Sequence, residues 1–264
     1  MSKKRQAVIT TVFGHTVDRL DRTFLSFAQN KFLELHAFVI GDRLPEKRID
    51  GITYHLKEPD DRFILRFRDC QHRRFLWPDL LDVEYALIVD GNDVLCLQPF
   101  PELPELLGGA SVGGVVEYRG GNQVLCGIGC SNFMNDGVTF WHVPSSRELR
   151  QQIFDRGLSM YRAIYDDQEC FNEVVNTHYD KLTILPCQYN YRAYLHPHGR
   201  RGWPTVKNLD GVKIYHNGTC LDAARKLLPV APMPTLKPLP MDKTPPNRWE
   251  RLWRRYRHKL WRYE

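Results

Sequence analysis

A chain of 264 residues, 42% hydrophobic, 26% charged and 12% aromatic, has ordinary globular usage, which excludes a disordered or collagen-like polymer. No apolar run approaches the roughly 20 residues that cross a bilayer, which excludes a spanning helix. The formal charge of +6 is local: from Asn247 to Glu264 seven basic residues face two acidic ones, a net +5 that leaves +1 for the other 246 residues.

Lys3, Lys4 and Arg5 precede the β-branched run Ala7 to Phe13, but Gly14-His15 ends it with no cleavage site following, so it reads as a first strand and not a signal peptide. Val17 to Asn30 places Leu20, Phe24, Leu25 and Phe27 at helical spacing. LHAFVIGD at 35–42 and ITYHL at 52–56 read as buried strands between Gly and Pro punctuation. Arg62 to Trp77 reads as a helix stopped by Pro78, and Glu84 to Asp90 as the next strand. This alternation predicts a mostly parallel sheet whose ligands sit at strand carboxyl ends.

That last strand delivers Asp90, Asn92 and Asp93 into a short turn before apolar Val94 to Leu97 resumes. Two carboxylates and an amide oxygen within four residues suit a hard cation that keeps positions open for substrate phosphates. The competing reading is a plain turn, since Asp, Gly and Asn all favour turns for backbone reasons.

Farther on, Ser111 to Glu117 is strand-like, Tyr118 to Phe133 loop-like and Gly137 to Val143 an apolar strand. Ser145 with Glu148 three residues on has the capping-box pattern for a helix to Gly157. Asp166 to Asn176 reads as another helix, and Leu182 to Leu185 and Val212 to Tyr215 as short strands. The seven cysteines are odd in number and scattered, which points to buried thiols in a reducing compartment. Cys126, Cys130 and His142 hint at zinc only weakly, lacking a second cysteine pair.

Seven prolines between Pro229 and Pro246 predict an extended linker. Beyond it Trp249, Leu252, Trp253, Tyr256, Leu260, Trp261 and Tyr263 recur mostly at steps of three and four among arginines. Such a basic aromatic helix suits an anionic bilayer surface; docking on its own domain or a nucleic-acid arm are the alternatives. The expected organisation is a domain at 1–228, a linker at 229–246 and an amphipathic helix at 247–264.

Polar clusters fall at the predicted strand ends and helix starts: Arg73-Arg74, Asn135-Asp136-Gly137, Asp167-Gln168 with Asn172, and His216-Asn217-Gly218. Singly each is an ordinary turn, cap or surface feature. In order, with ITTVF, LIVDGND and LPCQYNY, they resemble the GT-A glycosyltransferases of family 8 over residues 7 to about 220. The resemblance implies an α/β, GT-A-like fold, a single Rossmann-like mixed sheet flanked by helices. It also implies a nucleotide-sugar donor, a divalent ion (Mn2+ or Mg2+) and a retaining hexosyl transfer.

Carried over, Asp90 is the first acid of the metal turn and His216 a third protein ligand. Asn92 stands where a second acid is usual, so either Asn92 or Asp93 makes that contact. Thr10, Thr11 and Val12 would line the uracil and ribose pocket, and Arg74 would contact the diphosphate or sugar. Asn135, Asp136, Asp167 and Gln168 would surround the transferred sugar and acceptor hydroxyl, with Asp136, Asp167 and Gln168 the catalytic candidates. The family's Lys-Pro-Trp after the late glycine is absent here, where the chain reads TCLDAARK; Arg225 or Lys226 replaces it only with a remodelled loop. The basic loop Tyr189 to Trp203, with Arg192, His196, His198, Arg200 and Arg201, is the other candidate for the diphosphate or an anionic acceptor.

The expectation is a cytoplasmic enzyme, peripheral at the inner face of the cell membrane, that extends a cell-envelope glycan or glycolipid of lipopolysaccharide type and binds no nucleic acid. A nucleotidyltransferase would need a Gly-rich phosphate loop near the first strand, where only Gly14 stands. A noncatalytic sugar-binding or scaffold protein is the rival from another class.

Overall fold

The computed structural model describes residues 4–13, 20–46, 48–63, 66–91, 93–117, 132–159, 166–192, 209 and 211–216. Asn92, Cys126, Cys130, the basic residues 196–201, Arg225, Lys226, the linker at 229–246 and the helix expected at 247–264 lie outside them. Among the described residues no helix is long and apolar enough to cross a membrane.

Strands β1 (Gln6–Phe13), β2 (Leu33–Ile40), β3 (Ile52–Lys57) and β4 (Tyr85–Asp90) are mutually parallel in the order β3-β2-β1-β4. Their central members are apolar on both faces, as a sheet covered twice requires. The sheet continues through β7 (Met134–His142), antiparallel to β4 and to β6 (Val112–Val116), and closes with β8 (Leu182–Ile184) beside β6. The expected mixed α/β sheet is thereby realised with seven strands. Two further strands, β5 (Val94–Cys96) and β9 (Ile214–His216), form a separate antiparallel pair.

Alternation along β1 sends Val8 and Val12 into one core, with Phe27, Leu87 and Phe140, and Ala7 and Ile9 into the other, with Phe75, Trp141 and Phe171. The chain order grows from β1 toward β3, then restarts on the other side of β1 with β4. The switch point where open α/β sheets bind ligands therefore lies at the carboxyl ends of β1 and β4.

Several local expectations are corrected. The helix expected over 17–30 is, among the described residues, α-helical only at Leu20–Thr23 and 3-10 at Phe24–Gln29. The helix expected over 62–77 is α-helical only at Arg66–Arg73 and continues as a 3-10 helix, Arg74–Leu80, through Pro78. Proline has no N–H and its ring crowds the carbonyl four residues back, here that of Arg74, so the chain tightens instead of stopping. The long helix starts at Val143, not after a Ser145 cap, and runs to Ser159. Pro144, favoured in a first turn, sets that start, and the Ser145 hydroxyl instead donates to Ser111 Oγ at 2.8 Å. Cys70, Cys96 and Cys170 are buried as expected, but Cys187 is exposed where it opens a 3-10 turn, Cys187–Tyr189.

Asn172, in the helix Asp166–Val175, ties that helix to β7. Its Oδ1 accepts from the Met134 N–H at 2.7 Å, while Nδ2 donates to Met134 O and Gln168 O, both at 2.8 Å. One amide thus completes the strand's backbone bonding and holds Asp167 and Gln168 beside Asn135 and Asp136.

Candidate functional site

Strand pairing builds the acidic centre. Asp90 ends β4, Asp93 directly precedes β5, and β5 pairs with β9 so that Val94 lies opposite His216. The two carboxylates and the imidazole thereby converge, with one ligand atom from each within 4.8 Å of the others, the one such group among the described residues. His216 Nε2 is 3.5 Å from Asp90 Oδ2 and 3.6 Å from Asp93 Oδ1. Asp93 supplies the second carboxylate of this group, and Asn92 lies outside the described residues.

Glycine makes room for this centre. A Cβ on Gly137 would stand 2.4 Å from His216 Cε1 and 2.5 Å from Asp90 Oδ2. Oxygen donors with one imidazole suit manganese better than magnesium, so the residues present fit a divalent ion.

Behind the centre, Arg74 is buried and donates to three carboxylates: Nη1 to Asp90 Oδ1, and Nη2 to Asp136 Oδ2 and to Asp167 Oδ2, the last at 3.1 Å. These bonds take three of the five guanidinium N–H donors, and Nε has no hydrogen-bond partner among the described residues. Burial opposes charge on Arg74, but Asp136, Asp90 and Asp167 outweigh it and hold the guanidinium protonated. Burial likewise raises Asp136 well above the carboxylate range, aided by Asp167 and Asp90 and opposed by Arg74. For Asp90, burial is overcome by Arg74 and His216, which hold the carboxyl below its usual range; burial and Asp90 push Asp93 upward. Neighbouring carboxylates thus differ in proton affinity, a property of functional clefts.

Asn135 has no capacity left for a sugar. Its Oδ1 accepts from the Gly137 N–H (3.1 Å) and Asn190 Nδ2 (3.0 Å), and its Nδ2 donates to Glu117 Oε1 (3.1 Å) and Gln168 Oε1 (2.9 Å). Gln168 differs: it is buried, and its Nε2 has no hydrogen-bond partner among the described residues. A buried amide donor left so costs about 1–3 kcal/mol, which argues for an acceptor supplied by a ligand.

Asn190, inside the LPCQYNY motif, and Glu117, at the end of a strand, were given no role by the sequence, since a single polar residue carries no periodic signal. Asn190 Oδ1 lies 3.0 Å from His216 Nδ1, and Glu117 Oε1 accepts from Arg192 Nη1 at 2.6 Å. Arg192, in the basic loop expected to hold the diphosphate or an anionic acceptor, is thus paired with Glu117.

The residues expected to line a nucleotide pocket divide between the sheet's faces. Thr10 and Val12 approach Gly91, whose Cβ would meet Thr10 Oγ1 and Val12 Cγ1, both at 2.9 Å. Thr11 faces the other way, its hydroxyl accepting from Trp77 Nε1 at 2.8 Å. His142, weighed as a zinc ligand, bonds Ser145 Oγ through Nδ1 at 2.7 Å.

No protein-family model and no curated protein matches this chain. Among solved structures it is similar to the galactosyltransferase LgtC in complex with donor and acceptor sugar analogs. That match covers 86% of this chain and 97% of LgtC, with a TM-score of 0.56 at 15% identity. It is similar also to the glycosyltransferase GlyE of Streptococcus pneumoniae TIGR4 (81% of this chain, 54% of that one, TM-score 0.55, 16% identity). A third match is the bifunctional glycosyltransferase WbbM (86% of this chain, 45% of that one, TM-score 0.55, 14% identity). At such identities the likeness is one of fold: the chain has the GT-A architecture of these glycosyltransferases, in line with the resemblance to family 8.

Proposed function

We propose that this chain is a metal-dependent glycosyltransferase moving a hexose from a nucleotide diphosphate sugar, UDP-linked, to a cell-envelope glycan or glycolipid with retention. The observation that carries the reading is the convergence of Asp90, Asp93 and His216 at the switch point of a GT-A sheet. A divalent ion held there supplies positive charge against the negative charge that builds on the departing diphosphate.

The chain's own groups supply the rest. Gln168 Nε2 donates to a hydroxyl of the transferred sugar, placed by the Asn135 contact that fixes the other end of its amide. Arg74 holds Asp90, Asp136 and Asp167 in one array and keeps their mutual repulsion from opening the floor of the site. Asp136 and Asp167 border the transferred sugar and the incoming hydroxyl. Thr10 and Val12 belong to the nucleotide side of the cleft, and Lys226 to the diphosphate. Binding at the inner membrane face rests on the basic aromatic segment 247–264, and removing that segment is expected to lower partitioning onto anionic vesicles while hydrolysis of donor persists.

The test is a panel of nucleotide sugars assayed for manganese-dependent hydrolysis, with calorimetric UDP titrations with and without manganese. One UDP-sugar hydrolysed only with metal present is the expected result. UDP binding indifferent to manganese, with no hydrolysis of any donor, would replace the enzyme by a noncatalytic binding protein.

A further inference from the structure

His216 has two ring nitrogens, and a metal needs the lone pair of a particular one. Nε2 is the atom aimed at Asp90 and Asp93, so the ring's proton must sit on Nδ1. A neutral imidazole in water divides between both tautomers, so something in the protein must decide.

The neighbour of Nδ1 is the Asn190 amide, whose two ends have the same shape. Its orientation follows from groups whose polarity cannot invert. The Gly137 backbone N–H can only donate, and it meets Asn135 Oδ1. The Glu117 carboxylate, held by Arg192, accepts from Asn135 Nδ2. Both constraints turn the Asn135 carbonyl toward Asn190, which must then answer with Nδ2. Its remaining end, Oδ1, faces His216 and can only accept. The relay runs from the end of β6 through β7 and the turn after Tyr189 to β9, and Glu117, Asn135, Asn190 and His216 are all buried, so water cannot substitute for a member.

We propose that Asn190 is a positioning residue that locks His216 in the Nδ1–H tautomer, with the direction of its amide imposed through Asn135 by Gly137 and Glu117. The purpose of the lock rests on the metal-dependent reading above; without metal the Asp90 and Asp93 carboxylates, 3.5 and 3.6 Å from Nε2, compete with Asn190 for the ring's proton, and the metal-free tautomer is what the experiment reads.

The experiment is two-bond 1H–15N correlation spectroscopy of chelator-treated, histidine-labelled full-length protein at about pH 8.5, above the ordinary imidazole value of about 6.5. The His216 signal is assigned by its loss in His216→Gln, and manganese titrations run in parallel. Wild type is expected to show His216 protonated at Nδ1. Asn190→Leu is expected to mix the tautomers and weaken manganese binding about 10- to 100-fold. Asn190→Asp, which still offers an acceptor, is expected to keep the tautomer. An Nε2–H signal in wild type overturns the proposal without reliance on any variant's folding, as does Asn190→Leu with unchanged tautomer and affinity. Wild type protonated at Nδ1 but indifferent to manganese leaves the lock standing and sinks the metal reading.

Discussion

Replacing Gly137 by alanine puts a single carbon where the site has no volume for it. The new Cβ would lie 2.4 Å from His216 Cε1 and 2.5 Å from Asp90 Oδ2, against an attractive carbon separation of about 3.5 Å or more. Gly137 is not among the positive-φ glycines, so the effect is contact and not backbone strain. The imidazole must therefore retreat by roughly 1 Å, yet Asn190 holds its far nitrogen and Arg74 holds the far oxygen of Asp90. Overpacking of this kind costs about 1–3 kcal/mol. For a domain of this size that lowers Tm by about 2–12 °C. Coordination tolerates displacement of only about 0.2 Å, so the larger loss falls on metal affinity. Calorimetric manganese titration beside thermal melts reads both quantities. Wild-type manganese affinity in Gly137→Ala would refute the reasoning, because His216 and Asp90 could not then ligate from the positions described.

Arg74→Met leaves Asp90, Asp136 and Asp167 without their counter-charge and is expected to destabilise by about 3–5 kcal/mol in urea unfolding; an unchanged midpoint would show the carboxylates are not held as described. Asn172→Leu strips partners from the N–H and C=O of Met134, at about 1–3 kcal/mol for each buried group, and faster amide exchange at Met134 than in wild type is the expected signature. Burial pushes the His72 imidazole down to about 4, so the unfolded chain takes up its proton near 6.5 while the folded one does not. Stability from this group is therefore complete above 6.5 and falls as pH drops toward 4, by about 3 kcal/mol in all. In His72→Phe, which keeps a flat ring against Phe63, the unfolding free energy is expected to lose that part of its pH slope; an identical slope would count against it.

Much of the scaffold was legible because strands such as AVITTVF and YALIVD announce themselves locally, by β-branched and apolar runs that a doubly covered sheet accommodates. The acidic turn was legible for the same reason, since Asp90 and Asp93 sit three residues apart at a strand's end. Pro78 and Pro144 were visible too, but their effect on helix type and start depends on which neighbouring carbonyls remain to be bonded.

Composition and local pattern thus determined an α/β chain, the strands at its centre and the acidic turn, and the resemblance to family 8 added His216 as a candidate partner. Only tertiary structure decided which groups meet. Arg74 finds carboxylates 16, 62 and 93 residues away, and His216 finds Asn190 at 26. Hydrogen bonding and charge pairing act over a few ångströms in space and leave no periodicity along the chain. Glu117 and Asn190 therefore acquire a role only when β6, β7, β9 and the turn before Asn190 converge on the acidic centre.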